Sequence, residues 1–164
     1  MRSRAVVTGS AAAKPLVLYV EDDADTFRLA QLRLQQRYEV INASTDLEAA
    51  QLLARHGDNL YAVLLDVELQ GSQLDGLALV RAIRGMPPTM PQPSYAKQIP
   101  VLPHTPLIVM TAYVTKYSEA DVKALGANHF LTKPIDFTRL SLALAQANIQ
   151  SVMARLAARP ARAR

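Results

Sequence analysis

Short apolar runs, most of them breaking off at a polar residue, recur at intervals along this chain. Residues 16–20 (LVLYV) stop at Glu21, 61–65 (YAVLL) at Asp66, 106–110 (PLIVM) at Thr111, and 129–131 (HFL) just before Thr132 and Lys133. A shorter run lies at Glu39, Val40 and Ile41. Runs of this length with no polar alternation read as strands covered on both faces. Helical patterns separate them. Phe27, Ala30 and Leu34 share one face over residues 25–37, with Asp23 or Asp25 as the cap. Thr45 and Glu48 form a capping box that opens a helix ending at Gly57. A helix is predicted over 74–84, and Ser118 and Asp121 open a short one that stops at Gly126. A long helix starts at Asp136. Strands alternating with helices predict an α/β fold: a doubly wound five-stranded parallel sheet flanked by five helices, with right-handed crossovers. In such sheets the ligand crevice lies at the carboxyl ends of the strands.

A sheet covered on both faces needs a large apolar supply, and 50% of the 164 residues are hydrophobic. There is no cysteine, which excludes disulfides, thiolate metal sites and cysteine nucleophiles together. His56, His104 and His129 have no ligand spacing, and neither a P-loop nor a G-x-S-x-G elbow occurs. No run approaches the ~20 apolar residues of a membrane span; the start, Met1-Arg2-Ser3-Arg4, is basic as in a signal sequence, but Ala5-Val6-Val7 is too short an apolar stretch to follow it. A cytoplasmic protein is expected. The net charge of +4 divides unevenly: residues 1–15 carry three bases and no acid, 150–164 four bases and no acid, and the body 11 bases against 14 acids. Neither basic tail interleaves aromatics with its arginines, so nucleic acid is not an expected partner. Residues 1–14 are read as a disordered basic leader and 149–164 as a helix extension with a basic tail.

The strand ends carry the chemistry. The first supplies Glu21, Asp22 and Asp23, the third Asp66, the fourth Thr111 and the fifth Lys133. Carboxylates converging without a partner raise one another's proton affinity. A hard divalent cation relieves that repulsion, and Mg²⁺ takes oxygen ligands. With the cation and Lys133 present, an anionic phosphoryl group fits, and a carboxylate can attack phosphorus in line. Any one of these acids could simply cap a helix; the whole set at one end of one sheet favours function.

These residues resemble the receiver domain of bacterial two-component response regulators, over about residues 15–148. Val20-Glu21-Asp22-Asp23 is similar to its acidic pocket, Leu64-Leu65-Asp66 to its phospho-acceptor strand, and Asp75-Gly76-Leu77 to the start of its third helix. Val109-Met110-Thr111-Ala112 resembles its switch strand, and Gly126-Ala127, Phe130-Leu131 and Thr132-Lys133-Pro134 its closing motif. The 22-residue step from Thr111 to Lys133 also matches. The resemblance implies a flavodoxin-like receiver fold in which Asp66 accepts a phosphoryl group from a histidine kinase or phosphotransfer protein. It implies that Asp22 binds Mg²⁺ (or Mn²⁺) directly, Glu21 mainly through water, and Asp66 and the Glu68 carbonyl complete the protein ligands. Thr111 and Lys133 would hold phosphoryl oxygens, Thr111 and Phe130 would form the switch towards a downstream protein, and the Lys133–Pro134 bond would be cis. Catalysis would be limited to the domain's own Mg²⁺-dependent phosphotransfer and dephosphorylation.

Two departures stand out. Residues 67–74 lack the family's Met-Pro and run two residues longer, which predicts a looser loop over the metal. A Pro-rich insertion at about 85–105 replaces a short connection; it is expected at the amino-terminal side of the sheet, remote from Asp66, as a mobile loop or a docking surface. Residues after 148 are too few for an effector domain, so a receiver standing alone or a phosphorelay intermediate is expected. A receiver-fold interaction module with unused phosphorylation is the alternative. A haloacid-dehalogenase-like phosphatase is more distant, because it wants aspartate where Glu68 stands. Ile149, Val152, Met153 and Leu156 form a second apolar stripe beyond the domain, expected to mediate a homodimer or to contact a partner helix.

Overall fold

The computed structural model describes residues 13–158. Its strands are β1 (Leu16–Val20), β2 (Glu39–Ala43), β3 (Leu60–Asp66), β4 (Leu107–Thr111) and β5 (His129–Thr132). Its helices are α1 (Ala24–Leu34), α2 (Asp46–His56), α3 (Gly76–Ile83), α4 (Glu119–Ala124) and α5 (Phe137–Ala157). The strands form one parallel sheet in the order β2-β1-β3-β4-β5. This is the predicted doubly wound architecture, with β3 at the centre. The chain turns from β1 outwards to β2, then back across to β3, so the crevice at the carboxyl ends opens between β1 and β3.

Alternation along each strand divides the core into two layers. Leu18, Val20, Val63, Leu65, Leu107 and Val109 face α2, α3 and α4. Val17, Tyr19, Ala62, Leu64, Ile108 and Met110 face α1 and α5. Both faces of β1, β3 and β4 are buried, which is why those runs show no polar alternation.

Caps set the helix starts. Asp23, not Asp25, caps α1 by accepting the Thr26 N–H at 2.6 Å, and α1 ends at Leu34, the last residue of its apolar period, short of the predicted 37. Thr45 accepts the Glu48 N–H at 3.2 Å, but the Glu48 carboxylate reaches past the cap to the N–H and hydroxyl of Ser44, at 2.7 and 2.8 Å. Asp75 caps α3, which starts at Gly76 and not at 74. Ser118 and Asp136 cap α4 and α5 as expected.

The insertion departs from its expected place. It leaves α3 and rejoins β4 at the amino-terminal side of the sheet, but between those points it climbs alongside α3 and crosses to α2. Residues 88–92 line a groove of about 410 Å³ with residues of the β3–α3 connection. A 3-10 turn, Ser94–Gln98, then packs on α2, burying Ala96, and the Tyr95 hydroxyl donates to the Asp46 carboxylate at the start of α2. Ile99 and Leu102 are buried on the way back, and the Leu102 N–H donates to the Ile83 carbonyl at 2.7 Å. The insertion therefore belongs to the core of one layer and reaches the rim that carries the chemistry. Prolines forbid a regular helix there but not packing.

Arg84 fixes the other end of this segment. Its guanidinium donates to the carbonyls of Gly126 at 2.8 Å, Thr105 at 2.9 Å and Leu102, and to the Asn128 side chain at 3.2 Å. The acceptors are neutral, and burial pulls the Arg84 pKa down to about 10. Gly126, at φ 95°, leaves space for the arginine stem; a Cβ there would lie 2.8 Å from Arg84 Cγ.

Helix α5 buries Leu140, Ala143 and Leu144 against the sheet, and Ala147 is buried one turn further on. Its extension is docked on one side, where the buried Ser151 hydroxyl donates to the His104 carbonyl. On another, Ile149, Val152, Met153 and Leu156 are 63, 46, 63 and 55% exposed. The leader lies outside the described residues apart from its last positions, as does the tail from 159. No helix among the described residues is long and apolar enough to cross a membrane.

Candidate functional site

β1 delivers Glu21 and Asp22 to the crevice, the central β3 delivers Asp66, β4 delivers Thr111, and Lys133 follows β5. Because β1 and β4 flank β3, three neighbouring strand ends bring the acids and the hydroxyl side by side. Lys133 is drawn in by its backbone, whose N–H donates to the Thr111 carbonyl at 2.8 Å, and the Lys133–Pro134 bond is cis. The Lys133 ammonium lies between the two buried acids, 2.6 Å from Glu21 Oε2 and 2.5 Å from Asp66 Oδ2. One oxygen each from Glu21, Asp22 and Asp66 falls within a sphere of 4.8 Å mutual distance. Thr111 is fully buried, and its Oγ1 accepts the Tyr113 N–H at 3.0 Å, which leaves the hydroxyl hydrogen free to donate elsewhere.

The electrostatics follow from burial against pairing. Glu21 is 1% exposed, and desolvation raises its pKa despite the Lys133 and Tyr19 hydrogen bonds that work the other way. Desolvation works against the Lys133 ammonium too, but hydrogen bonds and charge from Asp66 and Glu21 outweigh it and its pKa rises. Tyr19 donates to Glu21 Oε2 at 2.8 Å; burial, then the Glu21 charge, pushes its own pKa up. The result is a cluster with more carboxylate than ammonium, made of hard oxygen donors, which is the chemistry a small divalent cation fits.

The connection from β3 to α3 closes over this cluster. Asp66 Oδ1 accepts the Glu68 N–H at 3.2 Å, and Asp22 Oδ2 accepts the Gln70 N–H at 3.1 Å. Gly76 N–H donates to the Val67 carbonyl at 2.9 Å. The backbone passes so close that a Cβ on Gly76 would lie 2.0 Å from the Asp66 carbonyl oxygen. The glycine at the start of α3 is thus a requirement of the strand carrying Asp66. Phe130 stands apart from the cluster: it is half-buried on β5 and lines a groove of about 550 Å³ with Tyr117, Leu142 and Ala143.

Three residues at or near the site were not foreseen. Tyr19 was readable, since two residues before Glu21 on a strand puts both on one side. Asp46 falls inside the Thr45–Glu48 capping box and Tyr95 inside the Pro-rich insertion, and neither position carries a local signal of its partners.

A central strand ending in an acid, flanked by an acidic pair, a hydroxyl and a lysine on a flavodoxin-like sheet, defines a receiver-type phospho-acceptor module. The response regulator receiver domain model matches residues 17–145, and the chain belongs to that family. The transcriptional regulatory protein ZraR of Klebsiella oxytoca is 26% identical over 132 residues, 80% of this chain and 26% of that protein. The response regulator PleD of Caulobacter vibrioides is 28% identical over 120 residues, 73% of this chain and 23% of that protein. The chain spans about a quarter of the length of the curated relatives it matches. Among solved structures, the receiver domain of NtrX from Brucella abortus superposes with a TM-score of 0.65 at 27% identity, covering 81% of this chain and 98% of that one.

Proposed function

We propose that Asp66 is the phospho-acceptor of a two-component phosphorelay, taking its phosphoryl group from a histidine kinase or a phosphotransfer protein. The observation that carries this reading is the Asp66 carboxylate on the central strand, held 2.5 Å from the Lys133 ammonium and beside Glu21 and Asp22. An Asp66 oxygen attacks phosphorus as the phosphorus–nitrogen bond of the donor phosphohistidine breaks; an acyl phosphate forms and the donor leaves as imidazole. Glu21, Asp22, Asp66 and the Glu68 backbone carbonyl would hold Mg²⁺ or Mn²⁺, which neutralises phosphoryl charge when bound. Lys133 moves its ion pair from the Asp66 carboxylate to the new phosphoryl oxygens. Thr111 donates its free hydroxyl hydrogen to one of them. The drawing in of Thr111 opens space behind β4, and the Phe130 ring turns inwards, shifting a two-state equilibrium that a downstream protein reads. Glu68, standing where a phosphatase of this chemistry wants a second aspartate, favours this signalling role over turnover of an external substrate.

Intact mass after incubation with acetyl phosphate and Mg²⁺ tests the reading. Wild type should gain one phosphoryl group, and Asp66→Asn or chelator-treated wild type none. Equal labelling of Asp66→Asn would overturn the assignment.

A second copy of the chain is proposed to cover the α5 stripe. Its support is the continuous helix to Ala157, which keeps Val152 and Leu156 one turn apart and exposed after Ser151 has docked the other side.

A further inference from the structure

The connection over the acidic cluster, residues 67–75, contains no proline, yet it is well held. Its backbone hangs from three carboxylates. Asp66 and Asp22 take the N–H groups of Glu68 and Gln70, at 3.2 and 3.1 Å. Asp46 Oδ2 takes those of Gln73 and Leu74, at 3.2 and 2.8 Å, while the Asp46 N–H donates to Ser72 Oγ at 3.0 Å. The third carboxylate comes from the start of α2, outside the cluster, and the same Oδ2 also accepts the hydroxyl of Tyr95 from the insertion. Asp46 is 2% exposed, and its hydrogen-bond partners are neutral donors, with Leu47 N–H on Oδ1 at 3.0 Å. Those donors and the amino end of α2 take the place of a cation.

We propose that Asp46 and Tyr95 are positioning residues for the phospho-acceptor site. Tyr95 fixes the Asp46 carboxylate, Asp46 fixes Gln73 and Leu74, and the connection so held keeps Glu68 and Gln70 against Asp66 and Asp22. The inference rests on the reading of Asp66 and its neighbours as a cation and phosphoryl site. Asp22 and Asp66 have two duties, because every oxygen turned to a cation or a phosphoryl group is one the backbone N–H groups must share. Asp46 has one duty. It is the tether that persists when the other two carboxylates are engaged, so the cation meets a backbone already ordered. In this chain the insertion supplies, through Tyr95, the stiffening that a proline in the connection would otherwise give.

Tyr95→Phe removes one oxygen and keeps the ring that packs on α2. In the full chain without metal, amide exchange at Gln73 and Leu74 should speed up about fivefold or more, the scale of one lost hydrogen bond. The Mn²⁺ dissociation constant, measured by calorimetric titration, should rise about threefold or more. In acetyl phosphate labelling the Mg²⁺ needed for half-maximal rate should rise in step, while the rate at saturating Mg²⁺ stays within about twofold of wild type. Asp46→Asn should show the same pattern more strongly. Unchanged exchange and unchanged metal half-saturation in Tyr95→Phe overturn the positioning role, and leave the function of the site standing if wild type binds Mn²⁺ and labels on Asp66. A lower saturating rate without a shift in half-saturation also overturns it, because that marks a general loss of folded protein. Wild type that binds no Mn²⁺ overturns both readings.

Discussion

The single atom missing from Gly76 decides whether the crevice exists in this form. A methyl group there meets the Asp66 carbonyl at 2.0 Å, and that oxygen is backbone in the central strand, so it cannot step aside cheaply. Gly76→Ala should cost about 2–3 kcal/mol, the upper part of the overpacking range, read as a lower urea midpoint, and should slow acetyl phosphate labelling of Asp66. Glu48 gives a test in pH. Its bonds to Ser44 hold its pKa below the ordinary 4.5, so the native state binds its proton less readily than the unfolded chain. The stability it adds is complete above the ordinary glutamate value and is lost as pH falls through the depressed native one. The difference in melting temperature between wild type and Glu48→Gln should therefore be constant near neutrality and close only in that acid window. A gap that closed above the ordinary glutamate value would show that Ser44 does not hold the carboxylate in solution. Thr111→Ala should still take up a phosphoryl group on Asp66, since the nucleophile and Lys133 are intact, yet lose the amide-spectrum change at Phe130 that wild type shows.

Among the elements, legibility in the sequence followed the number of faces buried. β1, β3 and β4 are covered on both sides, so their runs were unbroken and their ends marked the site to the residue: Glu21, Asp66 and Thr111. β5 is an edge strand, half-buried except for an exposed Thr132, and α4 is short; the strand showed only as a three-residue run, and the helix through its capping box and closing glycine and not through periodicity. The path of the insertion was hidden for a physical reason. Proline content excludes regular helix, but it carries no information about which surface a segment packs on, and the partners of Tyr95 and Arg84 lie 49 and 18 to 44 residues away. Arg84 now has a definite expectation. Arg84→Ala should destabilise the chain by about 3 kcal/mol, leaving buried carbonyls without donors. Arg84→Lys should recover only part, because a point charge cannot serve acceptors spread around a planar fork. Urea unfolding of the three proteins checks both; equal midpoints for alanine and wild type would mean that water replaces the guanidinium.

For the molecule as a whole, the two ends of the sheet are built by different rules: the carboxyl end is a cluster of charges, and at the amino end the Arg84 guanidinium ties neutral acceptors together. The exposed stripe on α5 would add a third level, association of copies. Light scattering of the chain should report a dimer, and Val152→Glu combined with Leu156→Glu should give a folded monomer whose melting temperature no longer depends on protein concentration; a wild type that stays monomeric at high concentration removes the second copy from the scheme. The Arg84 junction also bears on how such a segment could be moved between proteins. Two of its acceptors, Leu102 and Thr105, lie inside the insertion, while the arginine, Gly126 and Asn128 lie outside it. Spliced into a shorter receiver by itself, the loop would arrive without its fastener. The transplantable module is discontinuous, a cassette of some twenty residues together with an arginine and an asparagine far apart in the host chain, and a recombination event that carried only the contiguous stretch would deliver a tail rather than a brace.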